Sequence, residues 1–193
     1  MKVKFLKSAP SINEAIEPNF TEVALLGRSN VGKSSFLNAF TNQKIAKTSQ
    51  TPGKTRLINF FEIEEHGRKY VLVDLPGFGY AKVSKSLQKE WGKNLDEFLQ
   101  NRFNIKLFIH LRDARHPNLE IDENVDIYLN SFLKRDQKIL TVFTKIDKLK
   151  QSELAKLKKA YPNALYVSNV KKRGFDKVRQ KIEEILWGGR NEN

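Results

Sequence analysis

Gly27-Arg28-Ser29-Asn30-Val31-Gly32-Lys33-Ser34 is the stretch on which the reading of this chain turns. It has the form G-x-x-x-x-G-K-S, follows the apolar run Val23-Ala24-Leu25-Leu26, and precedes Ser35-Phe36-Leu37-Asn38-Ala39-Phe40. A short strand, a loop bounded by glycines and the start of a helix, in that order, give the pattern its meaning as a phosphate-binding loop. Such a loop turns successive backbone N–H groups towards phosphate oxygens, with the helix N-terminus behind them. Lys33 is placed to reach β- and γ-phosphates, and the Ser34 hydroxyl to ligate Mg²⁺.

Working outward, six apolar runs read as strands: Glu22–Leu26, Leu57–Ile63, Lys69–Val73, Lys106–Leu111, Ile139–Thr144 and Ala164–Val167. The second and third are joined by Glu64-Glu65-His66-Gly67 and read as an antiparallel hairpin. The others alternate with helical patterns at Lys33–Phe40, Ser86–Asn101, Glu120–Lys134, Ser152–Ala160 and Phe175–Trp187. This alternation predicts an α/β fold of three layers, with a six-stranded, mostly parallel sheet containing one antiparallel strand. In the second helix Leu87, Trp91, Leu95, Phe98 and Leu99 repeat at helical spacing, which makes Trp91 a core anchor; in the last, Val178, Ile182, Ile185 and Leu186 form the stripe. Ser11 followed by Glu14 has the form of a capping box for a short N-terminal turn that Pro18 would end. The chain reads as one domain, 1–193, with a short extension over 1–21 and a frayed tail over 188–193.

A nucleotide site needs more than a phosphate loop, and two further segments supply it. Asp74-Leu75-Pro76-Gly77 follows the strand ending at Val73. An Asp there holds Mg²⁺ through water opposite Ser34, and the Gly77 N–H is available to a γ-phosphate. Thr48-Ser49-Gln50-Thr51-Pro52-Gly53-Lys54-Thr55-Arg56 is a polar segment between the first helix and the second strand. A threonine in it can complete the Mg²⁺ shell and let go after hydrolysis, and spacing alone leaves Thr51 and Thr55 as competitors. At the other end, Thr144-Lys145-Ile146-Asp147 follows the strand Ile139–Phe143. A carboxylate at Asp147 can accept from guanine N1–H and its exocyclic amine, a pair of donors that adenine does not match. The stem of Lys145 can cover the base, and a backbone N–H in Val167-Ser168-Asn169 can meet guanine O6.

Composition sets the surroundings. The 193 residues include 39% hydrophobic ones, enough for one core, and no apolar run of bilayer length, so no membrane insertion is expected. Cysteine is absent, which removes disulfides and thiolate metal sites and suits a cytoplasmic location. The net charge of +13, from 35 Lys and Arg against 22 Asp and Glu, favours a polyanionic partner, most simply nucleic acid.

These elements, in this order, resemble a Ras-like P-loop GTPase. Glu22–Phe40, Thr51–Phe61, Asp74–Ala81, Asp113–His116 and Thr144–Leu149 resemble the bacterial EngB (YihA/YsxC) family, within the TrmE-Era-EngA-EngB-septin-like GTPases. The match runs from about Phe5 to Trp187. The resemblance implies a monomeric GTP-binding protein that hydrolyses GTP to GDP and phosphate as a switch in large ribosomal subunit assembly, with a link to cell division and septation. Its implied partners are guanine nucleotide, ribosomal RNA and a large-subunit precursor. Its implied nucleotide residues are Gly27 to Ser34 with Ser35, then Gly53, Lys54, Thr55, Arg56 and Leu57, then Asp74 to Gly77, Thr144 to Asp147, and Val167 to Asn169. It places Thr55 rather than Thr51 with Ser34 and Asp74 on Mg²⁺, and makes Lys33, Thr55 and Gly77 the groups nearest the chemistry.

Three positions depart from better-known GTPases. Phe78 stands where a water-orienting Gln is common, so slow intrinsic hydrolysis is expected, completed by a partner or a cation. Thr144 replaces an Asn, and Asn169 stands where Ala is common. Asn30 is either a brace for its loop or, as in related GTPases, a ligand for K⁺ beside the phosphates. Arg115 and His116 match the family without a catalytic role; His116, before Pro117, shapes a loop. Lys82, Lys85, Lys89, Lys171, Lys172 and Arg173 are candidates for RNA contact. A phosphate-loop small-molecule kinase and an RNA-binding module with a vestigial nucleotide site are the alternatives.

Overall fold

Strand β2 (Glu22–Gly27) is buried along its whole length, as a parallel strand covered on both faces must be. The computed structural model describes residues 1–46, 57–78 and 85–188, and of these the side chains of all but 85–91. Beside β2 run β4 (Arg68–Asp74) and β5 (Ile105–Asp113), both parallel to it. Beyond β5 lie β6 (Lys138–Thr144) and the short β7 (Leu165–Tyr166), also parallel. On the other side β3 (Ile58–Glu65) pairs antiparallel with β4 across a two-residue turn. His66 and Gly67 hold that turn with φ of 50° and 74°, the backbone sign a tight hairpin requires.

The sheet has seven strands, not six, in the order β1-β3-β4-β2-β5-β6-β7. The added strand is β1 (Lys2–Ala9), antiparallel to β3, so that β3 alone runs against the rest. A bulge between Phe5 and Lys7 interrupts the alternation of β1, which is why a strand pattern does not stand out there. The capping box at Ser11 does not form: Ser11 makes no side-chain cap bond, and Ile12–Glu14 is a single 3₁₀ turn ending at Ala15. The segment after it is held by Arg102, which donates to Ile16 O (2.8 Å) and to the buried Glu22 carboxylate, and by Asn104, which donates to Pro18 O and Phe20 O.

Helices α1 (Lys33–Thr41) and α5 (Phe175–Trp187) cover one face. Phe36, Phe40 and Phe175 pack there with Val23, Leu25, Ile109 and Leu111. Helices α2 (Lys85–Asn101) and α3 (Glu120–Phe132) cover the other, where Phe98, Leu99 and Leu129 meet Ala24, Leu26 and Phe108. Helix α4 (Gln151–Ala160) adds Leu157 to a smaller cluster with Phe143 and Ala164. The expected stripe of α5 is present, with Val178 and Ile182 buried and Ile185 and Leu186 packed beside them. The side chain of Trp91 lies outside the described residues. No helix among the described residues is long and apolar enough to cross a membrane.

Candidate functional site

The carboxyl ends of β2, β4, β6 and β7 converge, and the loops leaving them form a cradle of the kind that parallel sheets place at that edge. The loop from Gly27 leads into α1 with Gly32 as its N-cap, at φ 96°. A Cβ on Gly32 would stand 3.1 Å from Asn169 Nδ2 and 3.8 Å from Lys145 Cε, so glycine is needed there both for the dihedral and for the close approach of two other loops. Leu75 N donates to Leu25 O (3.0 Å), and Pro76 behind it is buried.

The next segment is zipped onto the loop. Ser29 N donates to Phe78 O (2.8 Å), Ser29 Oγ lies 3.2 Å from the same oxygen, and Phe78 N donates to Gly27 O (3.3 Å). Gly77 packs under this crossing; a Cβ on it would meet Gly27 O at 3.5 Å and Ser29 N at 3.6 Å. Lys33 Nζ donates to Asp74 Oδ1, tying the phosphate loop to the end of β4, and Asp74 Oδ2 faces Asn59 Nδ2. Ser34 Oγ makes no hydrogen bond among the described residues. A hydroxyl and a carboxylate at one edge form the oxygen-only donor set that Mg²⁺ takes alongside phosphates, so these residues fit that ion. Gly53, Lys54, Thr55 and Arg56 lie outside the described residues, as do Thr48, Thr51 and Lys82; Leu57 is described, half-buried just before β3.

The base end is joined to the phosphate end through side chains. Thr144 is fully buried, and its Oγ1 donates to Val31 O (2.7 Å), with Arg112 O at 3.2 Å. The hydroxyl that replaces the more familiar Asn thus braces the phosphate loop. Lys145 has φ 61° and bridges Asn30 O (2.7 Å) and Asp113 Oδ2 (2.9 Å), its stem running past Gly32. Asn30 also has positive φ, 63°; its exposed side chain makes no hydrogen bond among the described residues, so the bracing here runs through its carbonyl. Ile146 N donates to Val167 O (3.4 Å). Ser168 Oγ donates to Asp147 Oδ1 at 2.6 Å and holds that carboxylate in place. Of the three strand-end amides, Val167 N donates to Phe143 O and Ser168 N to Arg173 O, which leaves the Asn169 N–H as the backbone donor without a partner among the described residues. Asn169 Nδ2 donates to Gly32 O (3.1 Å).

Sequence reasoning missed a charged cluster behind the loop. Asp113, fully buried at the end of β5, receives Arg115 Nε (3.0 Å), Arg115 Nη2 (2.8 Å) and Lys145 Nζ, with Arg28 Nη2 at 3.6 Å. Burial pushes its pKa up, but the hydrogen bonds from Arg115 and Lys145 outweigh it and hold the carboxyl well below the usual carboxylate range. Further along, buried His110 lies between Asp126 Oδ1 (2.7 Å) and Asp122 Oδ1 (3.4 Å), and Arg112 pairs with Asp126 Oδ2 (3.0 Å). Burial lowers the His110 pKa, yet the two carboxylates raise it further, and the net direction is upward. The ring of Phe78 sits 5.9 Å from that of His110, turned into the protein and not towards the loop. His116 N donates to Asp113 O and shapes this turn as expected, and Arg115, for which the sequence indicates no such role, closes on Asp113 beside it.

The description "50S ribosome-binding GTPase" belongs to a family model that matches residues 22–145 of the chain. A GTP-binding protein EngB of Campylobacter lari is 59% identical over 187 residues, 94% of each chain. The chain belongs to the EngB family of GTP-binding GTPases. A solved structure of an EngB GTP-binding protein superposes with a TM-score of 0.66 at 23% identity, covering 86% of this chain and 98% of that one. Era, solved with MgGDPNP and nucleotides 1506–1542 of 16S ribosomal RNA, matches with a TM-score of 0.67 at 23% identity over 86% of this chain and 56% of its own. At that identity both show the Ras-like fold alone. Family membership replaces the kinase alternative.

Proposed function

We propose that this EngB-family GTPase is a magnesium-dependent switch acting in large ribosomal subunit assembly in the cytoplasm, with guanine read at Asp147 and phosphates held at Gly27–Ser34. The observation that carries the reading is the bridge of Lys145 between Asn30 O and Asp113, beside the Ser168–Asp147 bond: it joins the phosphate elements and the base elements into one continuous site. Lys33, which donates to Asp74 Oδ1, would turn to the phosphates when nucleotide binds; Ser34 and Thr55 would then hold Mg²⁺ directly, with Asp74 supporting it through water. The ion would supply neutralisation of phosphate charge. Gly77, lying against Ser29, offers its N–H to the γ-phosphate, so the Phe78 zipper and a γ-phosphate compete for the same stretch of loop. The inward Phe78 orients no water, so hydrolysis by the protein alone is slow. Asn30 would hold a K⁺ ion, which would supply part of the missing charge; equal GTP turnover in K⁺ and Na⁺ would remove that element.

The ribosomal role is supported by the description of the matching family and by the excess of positive charge. The link to cell division is carried by the family resemblance. Sedimentation with ribosomal subunits in GTP, GDP and no nucleotide tests the switch. Co-sedimentation with the large subunit in GTP and release in GDP is expected; indifference to nucleotide would overturn it. A Lys33→Ala variant that binds GTP and subunits as the parent does would favour the vestigial-site reading instead.

A further inference from the structure

The positive charge of this chain is not spread evenly. Residues 145–181 hold twelve Lys and Arg against three Asp and Glu, which is nine of the thirteen net charges. Lys148 and Lys150 follow Asp147, and Lys171, Lys172 and Arg173 follow Ser168; all five are exposed. The 2.6 Å bond from Ser168 Oγ to Asp147 Oδ1 sets these two basic segments side by side at the guanine end. Lys172 Nζ donates to Asn42 Oδ1, and none of the five side chains meets a carboxylate among the described residues.

The second segment is a built hairpin. Ser168 and Arg173 exchange both backbone hydrogen bonds at 3.1 Å. Gly174 follows at φ 85°, packed so closely on Tyr166 O that no Cβ fits, which pins the base of the hairpin to β7. Its tip carries Val170, 81% exposed, and Lys171. Lys171 N donates to Ser168 Oγ (3.1 Å), which in turn donates to Asp147. Two hydrogen bonds therefore connect the basic tip to the carboxylate proposed to read guanine.

We infer that the hairpin 168–173, with Lys148 and Lys150, docks an RNA phosphate backbone, and that docking there slows release of GTP; the inference rests on the guanine reading of Asp147. Lysine-rich, apolar-poor surface suits phosphodiester contacts, which position without reading sequence, whereas the cores of protein interfaces are depleted in Lys. A membrane-surface site would need an apolar face beside the charges, and Val170 alone does not make one. Phosphates held at Lys171 and Lys172 restrain the tip, and the restraint reaches Asp147 through Ser168. By linkage, bound GTP strengthens RNA binding by the same factor as RNA strengthens the affinity for GTP.

The test uses the full chain, a fluorescein-labelled transcript of large-subunit ribosomal RNA, and a fluorescent, non-hydrolysable GTP analogue. A K171A/K172A/R173A variant should lose about two to three units from the slope of log affinity against log salt. RNA should slow release of the GTP analogue about fivefold in the parent and not in the variant, whose release without RNA matches the parent's. K148A/K150A should lower the salt slope by a further one to two units or so. An unchanged slope in both variants, or slowing that persists in the first, overturns the docking site. A variant that loses naked RNA yet still binds ribosomal particles assigns the face to a protein and also overturns it. Failure of the parent to bind the GTP analogue at all would be a separate result, against the guanine reading itself.

Discussion

On one side of β5, Leu107, Ile109 and Leu111 meet the phenylalanines of α1 and α5; on the other, Phe108 is followed by His110 and Arg112, which meet the carboxylates of α3. The same strand thus builds an apolar core on one face and a buried charged cluster on the other. The apolar face needs only volume and shape, and any nearby hydrocarbon satisfies it. The charged face needs each group opposite a particular partner, since a lone buried charge is costly. At the end of the strand the same demand acts through Asp113, which ties β5 to Arg28 in the phosphate loop and to Lys145 in the base loop, while His110 adds a ring contact to Phe78. The apolar side holds the sheet together, and the charged groups of the other side and of the strand end set where the nucleotide loops lie upon it.

The strongest way to break this comparison is Asp113→Ala. It leaves Arg115, Lys145 and Arg28 around an emptied buried position and should cost about 3–5 kcal/mol in urea unfolding, with weaker GTP binding as the Lys145 bridge loosens. A loss below about 1 kcal/mol would make the cluster ornamental. Next is Phe175→Ala on the apolar face, expected to cost about 3–4 kcal/mol while leaving the preference for GTP over ATP unchanged. If it altered that preference, the division of labour between the two faces would fail.

The smallest effect is a pH dependence. His110 has a folded pKa raised above its ordinary 6.5, so its stabilising contribution is complete below that value and is lost as pH rises through the folded one. The parent should therefore lose unfolding free energy as pH climbs from 6.5 upward, and His110→Gln should flatten that part of the profile. Identical profiles for the two proteins would mean that His110 does not carry the charge assigned to it.

Much of this was legible in the chain. Alternation and helical stripes located the elements, because burial repeats with the period of the backbone: the start of β2, the start of α1 and the whole of α5 agree with the sequence reading. Strand β1 was not legible, because its bulge shifts the register and its exposed lysines suit an edge. Nor was the cluster around His110, whose members come from β5 and α3; in sequence His110 and Arg112 are polar interruptions of an apolar run.

Local sequence alone determined the phosphate loop, the Asp74–Gly77 turn and the Thr144–Asp147 turn, since glycine dihedrals and residues at a strand's end act within a few positions of one another. Only the tertiary structure decided that Lys33 rests on Asp74, that Thr144 and Lys145 clasp the phosphate loop, and that Ser168 holds Asp147. Those contacts join residues from 21 to 115 positions apart. They depend on strand order and register, and no short stretch of the chain contains them.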